Sequence, residues 1–195
     1  MTTFAKEFSE ANYLSHTVHD GTSSSQAPSQ VWRPPPAGFY KINVDGALKV
    51  GDSIRGVGVV VRNERGEFMG ACVKSIQASY GARQTELMAA IEGLRFAIDM
   101  GFNFVILEMD AQVCIKGILS TEECSGTDGL LFEEVKNLLS KFRGVLCQWT
   151  PRSDNKVAHT LAHFAITCND FVSWIEDAPM WLLPVLDADV LALDN

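Results

Sequence analysis

Residues 39 to 77 hold three strand-length segments with little chain between them. "FYKINVDGA" alternates, with Phe39, Ile42 or Val44 able to face a core. "IRGVGVVVRN" is a β-branched run, "NERG" at 63 to 66 is a turn, and "EFMGACVKSI" is another strand-length stretch. Such segments on short connections form an antiparallel meander. The period then changes. In "ARQTELMAAIEGLRFAIDMG", Leu87, Ile91, Leu94 and Ile98 recur at helical spacing, and Gly101 is placed to close the helix. "NFVILEMD" is a short apolar strand and "AQVCIKGIL" a second helix. "TDGLLFEEVKNLLSKF" is a third, with Leu130, Leu131, Val135, Leu138 and Leu139 on or near one face. "GVLCQWT" is a fifth strand. Pro151 ends it, and "SDNKVAHTLAHFAITC" is a last helix with Ser153 or Asp154 as its expected N-cap. The order βββ-α-β-α-α-β-α describes an α/β fold, a mixed sheet covered by helices.

The flanks differ in composition from this region. Residues 1–37 read as a disordered N-terminal tail, with the low-complexity "GTSSSQAPSQ", running into the stiff "RPPPAG" linker. The folded domain is expected over 38–169, with an acidic and apolar extension over 170–195. Net charge is −8, yet residues 33 to 169 carry 15 Lys/Arg and 15 Asp/Glu. Three acids precede that stretch and six follow it, the latter with no base among them. No basic stripe is present, so electrostatic affinity for phosphate is expected to be modest. The extension, with Trp174, Trp181, Leu182 and Leu183 as apolar anchors, is expected to pack on the domain or to engage a protein partner. It is too acidic to touch DNA.

No apolar run reaches 18 residues, so no membrane contact is expected. The first residues lack the order of a signal or transit peptide. Five cysteines without a CxxC read as thiols of a reducing compartment, placing the chain inside the cell, in nucleus or cytoplasm. A monomer is expected.

Three carboxylates occupy comparable places. Asp45 lies near the end of the first strand, Glu86 in the opening turns of the first helix, and Asp110 at the end of the fourth strand. Each has a simple structural explanation. Asp45-Gly46 has the composition of a hairpin turn, Glu86 favours the helix dipole, and Asp110 is placed to cap the helix that follows. Taken together they suggest something else. Strands one and four lie side by side in such a sheet, and a crossing helix brings Glu86 to them. Clustered carboxylates repel unless cations neutralise them, and hard oxygen ligands suit Mg²⁺ or Mn²⁺. Two such ions together activate water and stabilise the leaving oxygen in phosphodiester cleavage.

"NVDGA", "TELMAAIEGLRFA", "LEMDAQ" and "NKVAHTLA", in this order and spacing, resemble the type 1 ribonuclease H family. They are closer still to its plant reverse-transcriptase-like branch, found alone or within retroelement polyproteins. The resemblance covers about residues 39 to 168. It implies a ribonuclease H-like fold with a five-stranded mixed sheet, three antiparallel strands followed by two parallel. It also implies endonucleolytic hydrolysis of the RNA strand of RNA–DNA hybrids with two Mg²⁺ or Mn²⁺ ions, leaving a 3′-hydroxyl and a 5′-phosphate. The first three catalytic acids and metal ligands fall on Asp45, Glu86 and Asp110.

The fourth position departs from the family. Where it commonly has aspartate, "NKVAHTLA" places His159, expected to complete or assist the site; Asp154, one place before Asn155, is not the motif match. The mobile histidine of the family has no clear counterpart in "WTPRSDN", and "STEECSGTDG" is acidic where a basic hybrid-gripping insertion would stand. Gly46, Asn155, Arg152 and Trp149 are candidate contacts with nucleic acid, Trp149 being equally explicable as core. His159 and His163 share an H-x₃-H spacing but lack the glutamate of a metalloprotease. Gly56 and Gly58 sit in a strand and suit close backbone approach rather than a nucleotide cradle. The alternative reading is a domesticated, non-catalytic domain that binds nucleic acid weakly or a protein partner.

Overall fold

The computed structural model describes residues 32–49, 51, 53–121 and 126–191. Of the tail and linker expected over 1–37, residues 1–31 lie outside them. Strands β1 (Tyr40–Leu48), β2 (Ile54–Arg62) and β3 (Phe68–Gln77) form the meander. Then follow α1 (Ala82–Asp99), β4 (Phe104–Met109), α2 (Gln112–Leu119), α3 (Gly129–Leu139), β5 (Gly144–Trp149), a 3₁₀ turn (Arg152–Asp154) and α4 (Lys156–Ala165). The extension adds β6 (Val172–Ile175) and α5 (Leu183–Leu191). The sheet order is β5-β4-β1-β2-β3-β6, with β1 parallel to β4 and β4 parallel to β5. The expected five strands are therefore six. Residues 172 to 175 pair antiparallel with β3, Ala71 opposite Trp174, because they continue the sheet edge that the meander leaves open.

Two cores sandwich the sheet. Ile42, Val44, Val57, Val59, Leu87, Leu94, Leu107 and Met109 pack between the sheet and α1, α2 and α3. In α3 it is Phe132, Val135 and Leu138 that are buried. Leu130 is 85% exposed, so the apolar face is rotated from the expected one, with Phe132 in place of Leu130. On the opposite side α4 lies against β2 and β3 through Val60, Ala71, Val73, Ala158 and Leu161, and the extension adds Leu182 and Leu186. A Cβ at Gly58 would stand 2.2 Å from the Ala162 nitrogen and 2.4 Å from the Ala158 oxygen. The missing side chain is thus what lets α4 rest directly on β2.

The second face of β1 and β4 is polar and nevertheless buried. Lys41 and Glu108 form an ion pair of 2.9 Å, and Asn43 Nδ2 donates to Glu108 Oε2 at 2.8 Å. Arg62 donates to Asn43 Oδ1 and pairs with Asp189 of α5 at 2.7 Å. Its guanidinium lies 3.4 Å from the centre of the Trp32 ring, and Trp32 Nε1 donates to Asn43 Oδ1 at 3.0 Å. Among the described residues packing thus already includes Trp32, six residues before the expected boundary at Gly38. It continues through the extension, whose Leu182 is fully buried.

Removing one member of a buried ion pair strands the other. Asp189→Ala should cost about 3–5 kcal/mol. For a domain of this size that lowers the melting midpoint by roughly 10 °C. Calorimetry of the full chain checks this, with Trp32→Ala expected to fall by a comparable amount as a large core side chain is lost.

Candidate active site

Asp45 does not sit in a turn. β1 continues through Gly46 to Leu48, with Asp45 opposite Gly58 in the ladder, so the hairpin explanation of Asp45-Gly46 fails. Asp110 follows β4 immediately, and because β1 and β4 are parallel, with Val44 opposite Met109, it emerges beside Asp45. It does not cap the next helix: Ala111 is the N-cap and no side chain bonds there.

Glu86 arrives from the other side of the sheet. A Cβ on Gly46 would meet the Thr85 carbonyl carbon at 2.9 Å and the Glu86 nitrogen at 3.0 Å. Glycine at 46 therefore sets how closely the first turns of α1 approach β1, and its backbone N–H donates to the Glu86 carboxylate. Asp45, Glu86 and Asp110 each offer an oxygen, and these oxygens lie within 4.8 Å of one another.

The electrostatics follow from that crowding. Burial, then Asp45 and Asp110, push the Glu86 carboxyl up to about 9. Asp110 is also raised, by burial first and then by Asp45, with Arg152 opposing. Asp45 is 1% exposed. Its Oδ1 and Glu86 Oε2 are buried without a hydrogen-bond partner. Two orphaned carboxylate oxygens in an all-oxygen donor set fit a hard divalent cation, which would neutralise the cluster and satisfy both atoms.

The last helix supplies the rest. His159 Nδ1 lies 2.7 Å from Asp45 Oδ2, and a nitrogen at that distance from a carboxylate donates its proton to it. His159 therefore holds one oxygen of Asp45 by a hydrogen bond. Arg152 Nη1 stands 3.6 Å from Asp110 Oδ2, and its Nη2 lies 3.3 Å from His159 Nε2. His163 meets the His159 ring edge-on at 4.4 Å between centroids. Trp149 is 46% exposed, which removes the core explanation, and its Nε1 donates to the Asp110 backbone oxygen at 3.0 Å.

Asn155 differs from expectation. It is 1% exposed and donates from Nδ2 to the Val44 oxygen at 2.8 Å, so it ties α4 to β1 beside Asp45 instead of facing solvent. Asn155 is also the N-cap residue of α4, since Arg152–Asp154 forms a 3₁₀ turn; Ser153 and Asp154 are not. The sequence showed no sign of the Asn155 tie, because such a bond spans 111 residues.

The sequence model described as reverse transcriptase-like matches residues 43–165. An Arabidopsis thaliana protein whose name assigns it provisionally to ribonuclease H is 27% identical over 167 residues. The match takes in 84% of this chain but only 27% of that relative's length. Among solved structures, ribonuclease H1 of the archaeon Halobacterium salinarum superposes with a TM-score of 0.62 at 25% identity, over 67% of this chain and 98% of its own. The N-terminal ribonuclease H domain of Rv2228c from Mycobacterium tuberculosis gives 0.60 at 24%, over 66% and 94%. LC11 ribonuclease H1, solved in complex with an RNA/DNA hybrid, gives 0.59 at 19%, over 66% and 96%. With one family model spanning the acids, β4 and α4, and a ribonuclease H1 fold superposing on the same domain, this chain belongs to the reverse transcriptase-like family of ribonuclease H-like proteins.

Proposed function

We propose that this chain is a divalent-cation-dependent endonuclease that hydrolyses the RNA strand of RNA–DNA hybrids. The observation that carries the reading is the Asp45, Glu86 and Asp110 cluster, with two buried oxygens that no protein group satisfies. Asp45, Glu86 and Asp110 would hold Mg²⁺ or Mn²⁺, two ions in the full complex. When bound, such ions supply Lewis-acid activation of water and neutralise charge at the phosphate. The side chains of the chain do the rest. The His159 hydrogen bond fixes the Asp45 carboxylate in one orientation. Arg152, 64% exposed beside Asp110, is placed to meet the phosphate next to the cleaved bond. Trp149, pinned through its Nε1, presents an exposed ring on which a base can stack. The 2′-hydroxyl and the groove width of the hybrid would mark the RNA strand.

One observation favours the non-catalytic reading. His159 and Arg152 contact two of the carboxylates and occupy positions where a fourth acid and substrate would act. A labelled hybrid incubated with Mg²⁺ or Mn²⁺ separates the two readings. Asp45→Asn should lower cleavage about a hundredfold or more, the scale on which such ligand shells count, while the protein stays folded. Cleavage at the wild-type rate by a folded Asp45→Asn protein would remove Asp45 from the site.

Linkage supplies a second test. The folded-state value of Glu86 is raised to about 9, above an unfolded value near 4.3. The folded state therefore holds the proton more tightly, and stability is greatest below the unfolded value. It is lost as pH rises towards 9, and the raised Asp110 acts in the same direction. In chelator the melting midpoint should fall between about pH 5 and 9. Glu86→Gln should flatten that fall, and added Mn²⁺ should restore the wild type. A flat profile in chelator would mean that the acids do not crowd one another.

His159 should set the metal preference. A histidine in place of a carboxylate leaves the cluster one oxygen ligand short, and Mn²⁺ tolerates such an incomplete shell better than Mg²⁺, which demands near-ideal octahedral oxygen geometry. His159→Asp should raise cleavage in Mg²⁺ more than in Mn²⁺. Parallel metal titrations of both proteins measure this, and superimposable Mg²⁺ curves would overturn it.

A further inference from the structure

The extension that completes the sheet also leaves it open. β6 is the last strand, paired with β3 on one side and with no strand on the other among the described residues. Residues 172 to 175 read "VSWI", without lysine, proline or charge within the strand, and its guards stand only at the ends, where Phe171 N–H donates to Asp170 Oδ1 at 2.9 Å and Asp177 N–H to the Ile175 oxygen at 2.7 Å. Phe171, Val172 and Ile175 are 47%, 36% and 55% exposed along it, and Met180 beyond it is 86% exposed. Trp174 is turned inward and fixed, with Trp181 edge-on at 6.0 Å and Phe164 at 6.2 Å, so the edge is held firm by an aromatic cluster beneath it. Acids bracket the strand: Asp170 on one side, Glu176 and Asp177 on the other, all exposed.

We propose that the β6 edge is a docking strand for an extended basic and apolar segment of another protein, which adds to the sheet as a seventh strand. Charge selects this occupant over the others. A second copy of this chain, paired antiparallel about Ser173 and Trp174, would set Asp170 opposite Asp177 and Phe171 opposite Glu176. Like charges across a ladder destabilise it. The chain's own first 31 residues hold three acids and one lysine, so they offer no complement. Nucleic acid is repelled by a stretch that has six acids and no base after residue 169. A segment alternating valine with lysine satisfies both properties, since its backbone extends the ladder, its apolar side chains line up with Phe171 and Ile175 on one face, and its long lysine side chains reach the acids at the two ends of the strand. This docking does not depend on the chain being a nuclease.

The test uses the full chain with Mg²⁺ present and two labelled synthetic peptides, one alternating Val and Lys, the other Val and Glu. Fluorescence anisotropy should show binding of the lysine peptide only, weakened but not abolished by salt. Hydrogen exchange should show new protection confined to the amides of residues 171 to 176. Asp170→Lys with Asp177→Lys should weaken the lysine peptide by about tenfold, the scale of two cross-strand charge pairs, and admit the glutamate peptide. Ser173→Pro, which removes an edge N–H, should weaken the lysine peptide as well. Equal binding of both peptides, protection elsewhere in the chain, or sedimentation as a dimer through β6 would each overturn the proposal.

Discussion

Three carboxylates within 4.8 Å of one another repel, and the rest of the fold is arranged to prevent them from moving apart. Asp45 is fixed because β1 is the central strand, bonded to β4 on one side and β2 on the other. Asp110 is fixed by the parallel register that sets Val44 opposite Met109. Glu86 is fixed by a helix that can come no closer and need stand no farther than Gly46 allows. Asn155 then ties α4 to the Val44 carbonyl, one residue from Asp45. Repulsion that would separate free side chains is opposed here by backbone ladders and packed helices. Its consequence is a raised proton affinity at Glu86 and Asp110 in place of movement.

The same strands carry a second polar row one step deeper. Lys41 and Asn43 precede Asp45 on its face of β1, and Glu108 precedes Asp110 on its face of β4. In this row charges alternate in sign and every carboxylate has a partner: Glu108 accepts from Lys41, Asn43 and Gln148. The contrast is informative. A balanced network buries itself beneath Trp32 and α5, whereas the unbalanced one, all acid, reaches the end of the strands and leaves oxygens unsatisfied. Structural polar groups and candidate ligands thus share an alternation, and it is the satisfaction of their carboxylates that tells them apart, since Arg62 Nε in the balanced network is also buried without a partner.

The meander, the four helices after it and the parallel pair were legible because each rests on local periodicity or short connections. So was the convergence of Asp45, Glu86 and Asp110, which follows once β1 and β4 are neighbours. What was illegible depended on distant partners. Lys41, Asn43 and Glu108 alternate with apolar residues as a solvent face does, and only the return of Trp32 and Asp189 buries them. Asn155 matched a motif but not its location, since its bond to Val44 is a tertiary event. The face of α3 was misjudged because Leu130 and Phe132 are equally apolar, and the docking of α3 against its neighbours decides between them. His159 is expected from the sequence to complete or assist the site, and which of the two it does depends on a tertiary contact, its hydrogen bond to Asp45.

The arrangement also separates two surfaces by sign and by place. The candidate nuclease site stands on β1 beside the end of β4, where Arg152 and Trp149 add a cation and a ring beside the acids. The extension's acids that flank β6, Asp170, Glu176 and Asp177, stand at the far edge of the sheet, with β2 and β3 between β1 and β6, whereas Asp189 is neutralised in its pair with Arg62. At about 4.8 Å per strand β1 and β6 are separated by roughly 14 Å of sheet, more than the screening length of about 8 Å at physiological salt. The acids of the extension therefore weaken phosphate binding at the site little, and a strand added at β6 leaves the site open. Because β6 pairs with β3, and β3 with β2, against which α4 rests through Gly58, an occupant at the edge is mechanically continuous with the helix that carries His159.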